Sequence, residues 1–206
     1  MSDQALVRPL EETLPHSAHG SRSFGWWGTV WLIATEATLF AMLIASYFYL
    51  RFRAMPEWPP DGIEPPHLEL PIIMSVILLS SSIPVHIAEH AVKKGNVRTL
   101  RIGLAIGWIL GATFLGLTWG VEWPEVLHEF GPTTNSYGTM FFTITGFHGA
   151  HVLGGLLFSL WAQARASRGT FGPDRYLTVQ NFTMYWHFVD VVWIGVFMTL
   201  YLSPHL

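Results

Sequence analysis

Five stretches of this chain are apolar for long enough to cross a lipid bilayer: Trp26–Leu50, Glu69–Val92, Thr99–Val121, Gly138–Ala164 and Val179–Leu202. About 20 mostly apolar residues suffice for a helix to span the hydrocarbon. Inside lipid the backbone must satisfy its own hydrogen bonds, so these runs predict helices and not open strands. The expected fold is therefore all-α, an integral membrane bundle of five transmembrane helices over residues 26–202. Residues 1–25 are polar and interrupted by Pro9, Pro15 and Gly20, which predicts a separate N-terminal segment and no signal peptide. Pro71 suits the first turn of the second helix. Pro84 lies inside that helix and predicts a kink.

Small residues recur at helical spacing. Gly103, Gly107 and Gly111 form one stripe on the third run, with Ala112, Gly116 and Gly120 on an adjacent one. Such ladders let helix backbones approach closely. Gly146, Gly149, Ala150, Gly154 and Gly155 give the fourth run a similar face. The Pro-rich connection after Met55 is too short to divide the chain into domains.

Composition agrees with this pattern. Of 206 residues, half are hydrophobic and 12% charged, against about 25% charged in an ordinary soluble domain. There is no cysteine, which excludes disulfides, thiolate metal sites and a thiol nucleophile. No phosphate-binding glycine loop, nucleophile elbow or nucleic-acid stripe occurs. Nine of the eleven Lys and Arg residues precede the first run or lie in the second and fourth connections (Lys93, Lys94, Arg98, Arg101, Arg165, Arg168, Arg175). The positive-inside rule then predicts a cytoplasmic N-terminus and a periplasmic C-terminus. The opposite loops carry Glu57, Asp61, Glu64, Glu122, Glu125 and Glu129.

Ionisable residues interrupt the apolar runs: Glu36 in the first, His148 and His151 in the fourth, His187 and Asp190 in the fifth. A charge at the bilayer centre costs at least a few kcal/mol, so such groups face a protein interior and mark a site, a pathway or a structural polar core. At 1.5 Å per residue they lie about 12–24 Å from the inner end of their helices, close enough in depth to meet near the midplane. A hydrogen-bonded network that fixes helix register and a proton relay both fit. His86 and His90, with His148-Gly-Ala-His151, also resemble the histidine boxes of membrane oxygenases. The two pairs fall roughly 10–20 Å apart in depth, too far for one metal centre.

Two segments resemble signature segments of subunit III of the haem-copper terminal oxidases: Gly146-Phe-His-Gly-Ala-His-Val152 with Gly154-Gly155, and Tyr185-Trp-His-Phe-Val-Asp-Val-Val-Trp-Ile194. Thr35-Glu36 followed by Phe40 resembles that family's Ser-Glu-x-x-x-Phe, and Glu122-Trp123 its Glu-Tyr or Glu-Trp pair. The likeness runs in order from about Gly25 to Leu202 and matches the short five-helix bacterial form. Thr35 replaces the usual serine, and Trp119 stands where many members have glutamine. Glu36, and not the aspartate of some quinol-oxidising members, resembles the cytochrome c type.

The resemblance implies a non-catalytic core subunit of a proton-pumping cytochrome c oxidase in aerobic respiratory electron transport. Such a chain is part of an enzyme without an active site of its own. It implies no catalytic, cofactor or metal residue here, with haem and copper in partner subunits. It implies contact chiefly with subunit I, also with subunit II, and with membrane phospholipid. The expected place is the bacterial cytoplasmic membrane, with no nucleic-acid partner. Glu36 would be the family's carbodiimide-reactive carboxylate, with His148, His151, His187 and Asp190 its polar core. Arg165 would be a lipid-headgroup contact. A nitric oxide reductase accessory protein, a quinol oxidase subunit III, a histidine-box oxygenase and a free-standing proton transporter stay open at this point, as does membership of a respiratory supercomplex.

Overall fold

The computed structural model describes residues 23–54, 58–60 and 63–205. The expected polar segment before Ser23, and Glu57 and Asp61 of the first connection, lie outside the described residues. Among the described residues six α-helices follow one another: α1 (Phe24–Ala54), α2 (Glu69–Lys93), α3 (Val97–Leu117), α4 (Trp123–Glu129), α5 (Ser136–Ser167) and α6 (Leu177–Phe197). Among the described residues five helical stretches are long and apolar enough to cross a membrane, the third running from Val97 to Glu129 and the fifth from Leu177 to His205.

The third stretch outlasts the apolar run that predicts it. A π-helical turn, Thr118–Glu122, joins α3 to α4. Pro124 sits in the first turn of α4, where its missing N–H costs nothing. A second π-turn, Met198–Leu202, extends α6. The helix ends are locally specified. Asn96 caps α3 by accepting from the Thr99 N–H (3.0 Å), and Asn135 caps α5 by accepting from the Gly138 N–H (2.8 Å). Gly95 and Gly169, just past α2 and α5, take φ of 74° and 69°, a left-handed geometry that glycine enters without steric cost.

Contacts between helix ends fix the topology. The Asn181 amide donates to the Gly25 carbonyl (3.1 Å), which sets the starts of α1 and α6 side by side. The Tyr47 hydroxyl lies 3.4 Å from Ser203, which joins their far ends. His205 reaches the Pro66 carbonyl (3.2 Å), just ahead of α2. Thus α1, α3 and α6 run one way and α2 and α5 the other. Lys93, Arg98, Arg101, Arg165 and Arg175 gather at one end, and Glu122, Glu125 and Glu129 at the other.

Helix α6 is the centre of the bundle. It buries Val179, Phe182, Thr183, Trp186, Val189, Asp190, Trp193 and Val196, and packs on α1, α2 and α5. Helix α1 is peripheral and buries only Phe40 and Tyr47. The first glycine stripe does what its spacing predicts: α2 lies against Gly103 and Gly107, and the Trp186 ring against Gly111. The second stripe does not. A Cβ added at Gly116 or Gly120 would meet nothing within 4 Å, and with Ala112, Trp119 and Leu156 these glycines line an open groove. The stripes differ because α3 packs chiefly on α2 and α5, and Gly116 and Gly120 lie off both contacts. Helix α2 is continuous through Pro84.

Candidate intramembrane polar site

The expected polar residues fall in three parts of this packing. His151, on α5, turns toward peripheral α1. Its Nε2 lies 3.0 Å from Glu36 Oε2, and its Nδ1 lies 2.7 Å from the Phe147 carbonyl. A carbonyl only accepts, so Nδ1 carries a hydrogen. Nε2 then faces the carboxyl group either as a lone pair or as the second N–H of an imidazolium. A hydrogen bond therefore joins Glu36 and His151 across α1 and α5. The Phe40 ring packs edge-on against His151, centroids 5.0 Å apart, and the Tyr185 hydroxyl donates to the His151 carbonyl (3.0 Å). Both partners of the pair are only partly covered within this chain.

His187 and Asp190 sit one turn apart on α6 and turn the other way, toward α2. There the Ser82 hydroxyl donates to Asp190 Oδ2 and lies 2.8 Å from His187 Nδ1. A hydroxyl has one hydrogen, so with that hydrogen on Asp190 it accepts from the His187 N–H. Asp190 is buried, and its Oδ1 has no hydrogen-bond partner among the described residues. His86 of α2 lies 6.1 Å from the His187 ring.

His148 joins neither group. It is buried with both ring nitrogens unpartnered among the described residues. Its neighbours are aromatic: Trp193 at 5.0 Å, Phe114 at 5.7 Å and Phe40 at 6.4 Å between centroids. The acid and imidazole groups of similar depth thus form two clusters and a lone ring, and no single layer. Depth follows from sequence position, but azimuth does not: α5 points His151 at α1 while α6 points its polar pair at α2. Arg165, at the basic end, stacks on Trp161 (5.0 Å) and Phe171 (5.7 Å), as guanidinium groups do on aromatic faces.

Several polar partners carry no charge and escape a search for ionisable residues. Serines on α2 serve α6 in antiparallel order: Ser75 accepts from Trp193 Nε1 (2.9 Å), Ser81 from Trp186 Nε1 (2.8 Å), and Ser82 serves Asp190 and His187. The run Ser80-Ser81-Ser82 inside an apolar helix was the available signal. Glu122 and Tyr201 also meet, with the Tyr201 hydroxyl donating to Glu122 Oε1 at 2.5 Å. Each lies in a π-turn, where a locally widened backbone re-aims side chains. Glu89 pairs with Lys93 at 2.6 Å. Among the described residues no three His, Asp or Glu side chains converge as a metal site would require.

The Asp190 cluster yields a graded test. Asp190→Leu strips Ser82 of its acceptor and should cost about 1–3 kcal/mol, the penalty for a buried polar group left unmatched. Asp190→Asn keeps an acceptor oxygen and should be milder. The expected order of detergent stability, wild type above Asn above Leu, is measurable by thermal unfolding monitored through tryptophan fluorescence. Equal stability of all three would show that the cluster holds nothing together.

Residues 15–204 match the family described as cytochrome c oxidase subunit III. The chain is 37% identical over 175 residues to the probable cytochrome c oxidase subunit 3 of Nocardia farcinica, covering 84% of this chain and 85% of that one. It is 35% identical over 208 residues to cytochrome c oxidase subunit 3 of Synechocystis, covering 98% and 87%. It is 32% identical over 180 residues to the Gallus gallus subunit, covering 85% and 68%.

Proposed function

Because the chain belongs to the cytochrome c oxidase subunit III family, we propose that it is the scaffold subunit of a haem-copper oxidase, working in aerobic electron transport without an active site of its own. The observation that carries this reading is the match over residues 15–204, which covers all five described membrane-length helices except the terminal His205. Haem and copper belong to partner subunits, and subunit I is the main contact, with subunit II beside it. The basic end of the bundle faces the cytoplasm and the acidic end the periplasm of a bacterial cytoplasmic membrane, as the positive-inside rule orders them.

The site chemistry suits a supporting role. The hydrogen-bonded pair of Glu36 and His151 lies at the edge of the chain, open to a neighbouring subunit or lipid. His187, Asp190 and Ser82 lie deeper and hold α6 on α2. His148 is a core imidazole walled by aromatic rings. Arg165 contacts lipid phosphate from the basic end.

Purification in mild detergent tests the whole reading. The chain should co-purify with oxidase subunits I and II and their haem spectrum; isolation without them would overturn it. Glu36→Gln tests the site. A glutamine amide can still donate to His151 Nε2 but cannot exchange a proton with it. Haem content and initial oxidase rate are expected to stay at wild-type level. Loss of the haem spectrum in an assembled complex would contradict a supporting role.

A further inference from the structure

Between the start of α3 and the end of α5 lies an open groove of ≈ 470 Å³, lined by Val97, Arg98, Arg101, Ile102, Ala105 and Gln163. Arg98 and Arg101 are one turn apart, so they share a helix face. Both are exposed, and neither makes an ion pair among the described residues. The first turn of α3 carries no acidic residue, so two guanidinium groups stand at the positive end of a helix dipole. Cations are disfavoured there, and an anion bound over them would relieve both charges. Guanidinium groups bind phosphate oxygens in paired hydrogen bonds.

Apart from Gln163, whose amide donates to Ser159, the rest of the groove is apolar. Ile102 is 51% exposed, and Ile106 and Ile109 continue the same exposed character down the helix at 45% and 58%. A matching ligand has a phosphate at one end and hydrocarbon at the other. The geometry points to an anionic phospholipid in this groove, its phosphate on Arg98 and Arg101 and an acyl chain along Ile102 and Ala105. This site is separate from Arg165, whose guanidinium stacks on Trp161 and Phe171. The inference rests on the chain spanning a bilayer as part of the oxidase.

The test uses the whole oxidase, purified in mild detergent, with retained lipids counted by mass spectrometry. The double variant Arg98→Gln, Arg101→Gln should lose about one anionic phospholipid per complex, with phosphatidylethanolamine unchanged, because basic side chains select lipid charge. Ala105→Trp, which fills the groove and leaves both arginines, should lose the same lipid. Wild-type anionic-lipid content in either assembled variant would overturn the site. A photo-crosslinker placed at Ile102 gives an independent reading: capture of a phospholipid supports the proposal, and capture of another oxidase subunit overturns it. Co-purifying haem in the same preparations reports on the subunit III reading separately.

Discussion

Replacing Trp186 with alanine is expected to release this chain from the oxidase during mild-detergent purification. Trp186 projects from α6 and is 1% exposed. Its ring is wedged between α3 and α5: a Cβ added at Gly111 or at Gly155 would fall 2.6 Å from ring carbons. Its Nε1 donates to Ser81 of α2. One side chain therefore touches three other helices. Between helices in lipid, burial from water contributes little, and van der Waals packing carries most of the association. Truncating a buried tryptophan to alanine costs about 3–5 kcal/mol, a large share of the roughly 5–15 kcal/mol that holds a typical fold. Trp186→Phe separates the two contributions. It keeps much of the ring packing and gives up the Ser81 hydrogen bond, worth about 0.6 kcal/mol between membrane helices. The chain should stay with the complex in the phenylalanine variant and be lost from the alanine variant, as read by subunit stoichiometry on a gel. Full retention in both would show that the wedge does not hold the bundle.

Gly103→Leu should separate α2 from α3. A Cβ at position 103 would lie 2.5 Å from the Pro84 carbonyl oxygen and 2.9 Å from the Ala88 Cβ. The first obstacle is backbone, which cannot rotate aside as a side chain can. Overpacking of this kind costs about 1–3 kcal/mol for small additions and more where backbone must shift. Here Pro84 provides a carbonyl facing the neighbouring helix, and glycine on that helix leaves room for it. Gly28→Ala is the control. Gly28 has nothing within 4 Å of the added carbon, and alanine is the better helix former. Thermal unfolding of the purified complex should fall sharply for Gly103→Leu and stay unchanged for Gly28→Ala. Similar midpoints for the two variants would contradict the close α2–α3 contact.

The glycines show how far a linear pattern reaches. Four-residue spacing marks Gly103, Gly107 and Gly111 as one face and Gly116 and Gly120 as part of another, and both look alike in sequence. Only the first face meets neighbouring helices. The polar residues repeat the lesson. Glu36, His151, His187 and Asp190 stand out because a charge within an apolar run is costly wherever its helix packs. Ser82 stands out only as part of a serine run, since a serine can satisfy itself within its own helix, as Ser81 does by donating to the Leu78 carbonyl (2.6 Å). Tyr201 and Glu122 were hidden for another reason. Regular helix spacing does not bring them into register, and the π-turns that aim them have no hydropathy signature.

The number of membrane-length helices, and the separation of basic from acidic loops, could be read along the chain, because lipid imposes its solvation cost residue by residue. Which polar group meets which could not. Partner choice depends on the rotation of each helix about its axis, and that rotation is set by close packing among α2, α3, α5 and α6 around Trp186. For this reason His151 finds Glu36 on one side of the bundle, while Asp190 finds a serine on the other.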